Sequence, residues 1–140
     1  MWGVLKTRQY ERRLKQYEKK KNKKPQLAAV LNNLEIFQKS LMAGKKPKPF
    51  VYGFLRTEPS DVIAITEQGG GANIAATRLY VYPDTETETL YLLTLGDKST
   101  QSDDIRDCKD FVKQIRANPN TGDSNDHDSD HDEERGECDG

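Results

Sequence analysis

A chain of 140 residues has room for one domain with a modest hydrophobic core. Its formal net charge of −1 conceals a division, because from Asp123 onward nine acidic groups face Arg135 alone, leaving residues 1–122 with 21 basic and 14 acidic groups, a net of +7. No apolar run approaches the length of a membrane span, and "MWGVLKTRQY" has no signal-peptide core. Cys108 and Cys138 are too few and too oddly placed for a disulfide framework. The expectation is a cytoplasmic protein with no membrane partner. The first 50 residues carry 14 Lys and Arg against Glu11, Glu18 and Glu35. Such a basic body suits a polyanionic partner, since neutralising phosphates releases their counterions. A solvated lysine-rich helix surface accounts for the same charge equally well.

In chain order, Trp2–Leu5 reads as a short edge strand, after which Thr7 can cap a helix carrying Tyr10, Leu14 and Tyr17 on one face. The opposite face is charged through Lys6, Arg8, Arg12, Arg13, Lys15, Lys19 and Lys20. "KKKNKKP" interrupts the pattern, and Pro25 suits the first turn of a second helix. Its apolar stripe is Leu27, Val30, Leu31, Leu34, Phe37 and Leu41, and Ala43-Gly44 stops it. "KKPKP" then reads as a basic linker. Strands follow at residues 50–55, 62–66, 73–82 and 89–95, the last two joined by the polar loop "PDTETE". A third helix places Ile105, Cys108, Val112 and Ile115 on one side. From residue 118 the chain turns to Asp, Ser, Asn, Gly and His, too polar to offset its ordering entropy. The expected fold is α+β: a small antiparallel sheet with the helices packed on one face, an N-terminal helical hairpin and a C-terminal helix. Residues 1–117 form the domain, and residues 118–140 a disordered acidic tail that solubilises it.

The only histidines, His127 and His131, lie in the tail. The body therefore lacks imidazole acid–base chemistry, Ser-His and Cys-His nucleophiles, and any His-bearing zinc site. No metal or other cofactor is expected. Gly69, Gly70 and Gly71 sit between two strands, the wrong context for a nucleotide-binding loop and the right one for a flexible connection. Strict alternation puts Ala75, Thr77, Leu79 and Val81 on the face meeting the helices, and Ile74, Ala76, Arg78, Tyr80 and Tyr82 on an open face. An arginine beside tyrosines suits phosphate binding and base stacking. In "LTLGDKSTQSDDI", Thr100 and Ser102 are candidate helix N-caps, with Thr100 and Asp103 spaced as a capping box. Asp103 and Asp104 suit the positive end of the helix dipole and disfavour an anion there. Lys98 is not explained by capping. It stands just past a strand end, within reach of the open face.

"TRLYVYPDTETETLYLLTLGDKSTQSDDIRDCKDFV" resembles the C-terminal half of RelE/ParE-superfamily toxins of type II toxin–antitoxin modules, in the HigB-like, phage-associated branch. The likeness is specific from Thr77 to Ile105 and extends in element order over roughly residues 1–116. It implies an mRNA endoribonuclease acting on the ribosome and restrained by a cognate antitoxin, a helix-turn-helix protein. Cleavage through RNA's own 2′-hydroxyl needs neither a metal nor a covalent nucleophile. By this resemblance Arg78 and Lys98 are the catalytic phosphate or transition-state stabilisers. Arg56 contacts phosphate, Tyr80 stacks on a base, and Gln101 supports the site. The alternatives are gyrase poisoning on the same fold and a non-catalytic RNA- or protein-binding module.

Overall fold

Each strand and helix follows from a local signal and a surface to bury. In the computed structural model, which describes residues 2–46, 54–67 and 77–117, β1 (Gly3–Lys6) forms one edge of a five-stranded sheet. Thr7 then caps α1 (Arg8–Glu18), its hydroxyl accepting the Tyr10 amide at 3.0 Å. A 3-10 turn at Lys21–Lys23 leads into α2 (Lys24–Met42), with Pro25 in the first turn, where an N–H would have no helical partner. Gly44, at φ +89°, takes the chain out of α2. Then come β2 (Leu55–Thr57), β3 (Ile63–Thr66), β4 (Thr77–Asp84), β5 (Thr89–Asp97) and α3 (Gln101–Ala117). The fold is α+β, with three helices and a mixed sheet in the order β1-β5-β4-β3-β2.

Two expectations need correction. The sheet is not wholly antiparallel: β2 to β5 form an antiparallel meander, but β1 pairs with β5 in parallel. The two helices after β1 carry the chain to β2 on the far edge, and the meander then brings β5 back beside β1, so no direct crossover joins the parallel pair. Nor do the helices share one face. Tyr10 and Tyr17 of α1 and Leu27, Val30, Phe37 and Leu41 of α2 pack with Ile63, Ile65, Leu79, Val81, Leu90 and Leu92. On the opposite face, Cys108, Val112 and Ile115 of α3 pack with Val62, Ala64, Tyr80, Tyr82, Tyr91 and Leu93. Both faces of β4 and β5 are thus apolar, and each fully buried aliphatic or aromatic side chain contributes roughly 1.5–3 kcal/mol. The expected strand residues 50–53 and 73–76, the linker beyond residue 46, the three consecutive glycines and the acidic tail lie outside the described residues.

β1 covers only the first half of β5, and α1 covers the rest of that edge with side chains. Thr7 donates its amide to the Leu92 carbonyl at 3.1 Å and its hydroxyl to the Leu93 carbonyl at 2.6 Å. Two consecutive carbonyls reach the same edge because a register shift opposite Tyr80 and Val81 leaves Leu93 unpaired, as in a β-bulge. Further along, Gln9 donates to Thr94 Oγ1 at 3.0 Å, Arg13 to the Leu95 carbonyl at 2.7 Å, and Tyr17 to Asp97 Oδ2 at 3.1 Å. Residues 9, 13 and 17 rise about 6 Å per step along the helix. Two residues of strand rise about 6.6 Å. The step from Arg13 to Tyr17 thus matches that from Leu95 to Asp97, so one helical stripe can serve the strand edge.

Where this stripe meets α3, the backbone must come very close to a side chain. A Cβ on Gly96 would lie 1.9 Å from Asp104 Oδ2 and 2.6 Å from Thr100 Oγ1. Glycine is required there by contact, not by backbone angle. Gly96→Ala is expected to lower stability by about 1–3 kcal/mol, the range for overpacking a close-fitted site. Urea unfolding measures this, and an unchanged midpoint would show that α3 does not seat against β5 as described.

Candidate functional site

Arg78 is the second residue of β4, partly buried, opposite Thr66 on β3 and Gly96 on β5. Lys98 lies two residues beyond Gly96, exposed, at the start of a 3-10 turn (Lys98–Thr100). Gln101, partly buried, opens α3 immediately afterwards. Arg78, Lys98 and Gln101 are therefore gathered at one end of the sheet. Arg56 is exposed on β2, opposite Ala64, which is itself opposite Tyr80. Opposed residues share a face, so Arg56, Tyr80 and Arg78 all stand on the side that α3 covers.

Tyr80 is where sequence and structure part. It was expected on an open face, stacking on a base, yet it is fully buried in the cluster with Cys108 and Val112. The alternation was right and the exposure wrong, because α3's apolar stripe takes this face as its own surface. The Tyr80 hydroxyl is buried with no hydrogen-bond partner among the described residues. Burial pushes its pKa up, Asp104 adds to the rise, and Arg78 opposes it. Burial likewise raises the Cys108 thiol, with Asp104 and Asp107 adding, which makes it a packing residue and not a reactive one.

One residue that the sequence reading missed belongs with Arg78. Glu58 follows β2 and is partly buried. Burial raises its carboxyl above the usual range, and the charge of Arg78 partly opposes that rise. A partly buried carboxylate under the influence of an arginine's charge is a candidate functional residue. Its only sequence signal is a carboxylate before Pro59 in a strand connection, which is common to many turns.

The turn carrying Lys98 is capped one turn earlier than expected. Asp97, not Thr100 or Ser102, is the N-cap: its Oδ1 accepts the Ser99 amide at 2.9 Å and the Ser99 hydroxyl at 2.6 Å. Thr100 completes the capping box, its hydroxyl accepting the Asp97 amide at 3.1 Å. That hydroxyl also donates to Asp104 Oδ2 at 2.6 Å. Asp104 does not simply face the helix dipole: it is fully buried and paired with Arg13 at 3.2 Å. Burial raises its pKa, while Thr100 and Arg13 hold it back.

The second Asp97 oxygen accepts from Tyr17 and from Lys23 Nζ at 3.2 Å. Lys20 and Lys23 each lie 5.4 Å from the centre of the Tyr17 ring. These contacts bring the lysine-rich turn after α1 to the end of the sheet that holds Lys98. A basic surface assembled from two distant parts of the chain results.

Among the described residues no cluster of His, Cys, Asp and Glu is arranged to hold a metal ion, and no helix is long and apolar enough to cross a membrane. Comparison with known proteins finds no matching family model, no matching curated protein and no matching solved structure.

Asp97 generates a pH prediction. Burial works against its ionisation, but hydrogen bonds from Ser99, Lys23 and Tyr17 outweigh that and lower its pKa to about 2. A carboxylate depressed on folding stabilises the fold above its unfolded pKa of about 3.9 and loses that contribution as pH falls. Stability should therefore decline between about pH 4 and pH 2, more steeply in the natural chain than in Asp97→Asn. Urea midpoints across that window measure the difference; identical slopes would contradict the assignment.

Proposed function

We propose that the chain is the toxin of a type II toxin–antitoxin module of the RelE/ParE type, an endoribonuclease that cuts mRNA on the ribosome. The observation that carries this reading is the convergence of Arg78, Lys98 and the lysine-rich turn at one end of the sheet. Glu58 is coupled electrostatically to Arg78. The element order and the Thr77–Ile105 resemblance support the same reading. In this assignment residues 1–117 are the toxin domain, with α1 and α2 as its helical hairpin, and residues 118–140 are a solubilising appendage. The protein works in the cytoplasm without a membrane partner, and a helix-turn-helix antitoxin restrains it.

The chemistry needs no cofactor. The 2′-oxygen attacks the adjacent phosphorus, the bond to the 5′-oxygen breaks, and a 2′,3′-cyclic phosphate and a 5′-hydroxyl result. Glu58 accepts the proton from the 2′-hydroxyl, its carboxylate made more basic by burial. Arg78 stabilises the charge growing on the phosphorane oxygens, and its fork matches a phosphate edge. Lys98, exposed at the strand end, binds the phosphate and supplies a proton to the leaving oxygen. The lysine-rich turn holds the backbone of the message. With Tyr80 buried, base stacking by that residue is not part of the mechanism.

One observation favours a second reading, a non-catalytic RNA-binding module: α3 closes over Tyr80 on the face that Arg56 and Arg78 share. Induction of the natural chain in cells separates the readings. The toxin reading expects growth arrest with cleavage of translated messages. Arg78→Ala and Lys98→Ala should each slow cleavage by about 10²–10³-fold, the effect of removing one donor to a developing oxyanion. Glu58→Gln should slow it by at least about 10²-fold. Salt-sensitive RNA binding with intact messages would establish the module instead, and DNA breaks with intact messages would point to gyrase.

A further inference from the structure

The far end of β4 carries a cleft of opposite character. Asp84 lies six residues beyond Arg78, roughly 20 Å along the strand. There a cavity of about 610 Å³ opens between the β2–β3 connection, the end of β4 and the last turn of α3. Its charged lining is Asp61, Asp84, Glu86 and Arg116, a net of −2. Residues 1–122 as a whole carry +7, so this is a local inversion of sign. Its volume falls within the roughly 300–1,000 Å³ of ligand sites.

The lining already holds one guanidinium. Arg116 Nη2 is 2.6 Å from Asp61 Oδ2, and its Nε donates to the Tyr82 hydroxyl at 3.4 Å. Its Cζ lies 5.6 Å from the centre of the Tyr82 ring, which is stacked on Tyr91 at 6.1 Å. An aromatic face with a carboxylate at its edge is the arrangement that suits a planar cation. Arg116 nevertheless sits near the mouth, since its side chain is 49% exposed and that of Asp61 79%.

Deeper in the cleft, Asp84 is only 9% exposed and its Oδ1 accepts the Glu86 amide at 3.0 Å. An ionised carboxylate offers about four lone-pair sites, so Asp84 retains acceptor capacity for a further donor. Three carboxylates repel phosphate. No group among the described residues is arranged for a metal ion. A forked cation fits better than a compact ammonium, because one group can bond Asp84 while its plane lies against Tyr82.

We infer that this cleft binds the guanidinium of an arginine presented by a basic peptide, with Arg116 as an internal occupant that the incoming arginine displaces. The site is independent of RNA cleavage, lying at the opposite end of the sheet from Arg78 and Lys98. While Arg116 holds Tyr82 and Asp61, only part of the population can receive the ligand, and the apparent affinity is reduced by that fraction.

The test titrates the full chain with acetyl-Gly-Arg-Gly-amide, followed by amide chemical shifts, beside the same peptide carrying citrulline. The arginine peptide should shift the amides of Tyr82, Asp84 and Glu86, and the neutral citrulline peptide should not. Arg116→Gln should tighten binding by about fivefold by removing the competitor. Glu86→Gln, on an exposed turn where folding is not at stake, should weaken it; Asp84→Asn should weaken it further. Equal binding of citrulline, shifts elsewhere on the molecule, or an Arg116→Gln variant that binds no better would overturn the proposal. None of these readouts involves RNA, so the outcome stands apart from the cleavage experiment.

Discussion

The Arg13 guanidinium joins three elements that are far apart in the sequence. It donates to the Leu95 carbonyl at the uncovered edge of β5 and pairs with Asp104 of α3, while belonging to α1 itself. Asp104 has no access to solvent, so its charge depends on Arg13 and on the Thr100 hydroxyl. Removing one partner of a buried ion pair strands the other charge, which typically costs about 3–5 kcal/mol. Gly96 makes the meeting possible by leaving room for the carboxylate against the strand. Once Asp104 is seated, the start of α3 and the turn before it have little freedom, and that turn carries Lys98.

The same arrangement gives the molecule two chemically distinct ends. Asp97, held by Ser99, Tyr17 and Lys23, ties the lysine-rich turn to the strand end where Arg78 and Lys98 stand. At the other end of β4, carboxylates gather around Tyr82, and the last turn of α3 supplies Arg116 as their counter-charge. α3 therefore bridges both ends: its first turn is bound up with the basic end and its last with the acidic one. Between them, its apolar stripe closes over Tyr80 and the small residue Ala64.

Features governed by near neighbours were legible in the sequence. Thr7 caps α1, Pro25 opens α2, the stripes of α2 and α3 are buried except at the half-buried Leu31 and Ile105, and Leu79 and Val81 face away from Tyr80 and Tyr82. Features governed by distant partners were not. The parallel pairing of β1 depends on where the last strand of the meander ends up, more than 80 residues further along the chain. Leu93 and Leu95 share parity yet lie in opposite clusters, because a bulge breaks the alternation between them. Thr100 was legible as a capping residue, but Asp97, which caps the turn through one oxygen, is held at the other by Tyr17 and Lys23, more than 70 positions away. Of the site, Arg78, Lys98 and Gln101 could be grouped from the strand-to-helix joint. The burial of Tyr80 and the coupling of Glu58 to Arg78 needed the third dimension.

The function proposed for the basic end rests on RNA attacking its own backbone, and that chemistry leaves a signature on the product. The most direct measurement is the chemical identity of the new RNA ends made by the purified full-length chain on translating ribosomes. A 2′,3′-cyclic phosphate on one fragment and a 5′-hydroxyl on the other are predicted. Fragments ending in a 3′-hydroxyl and a 5′-phosphate, or a message left intact, would contradict it.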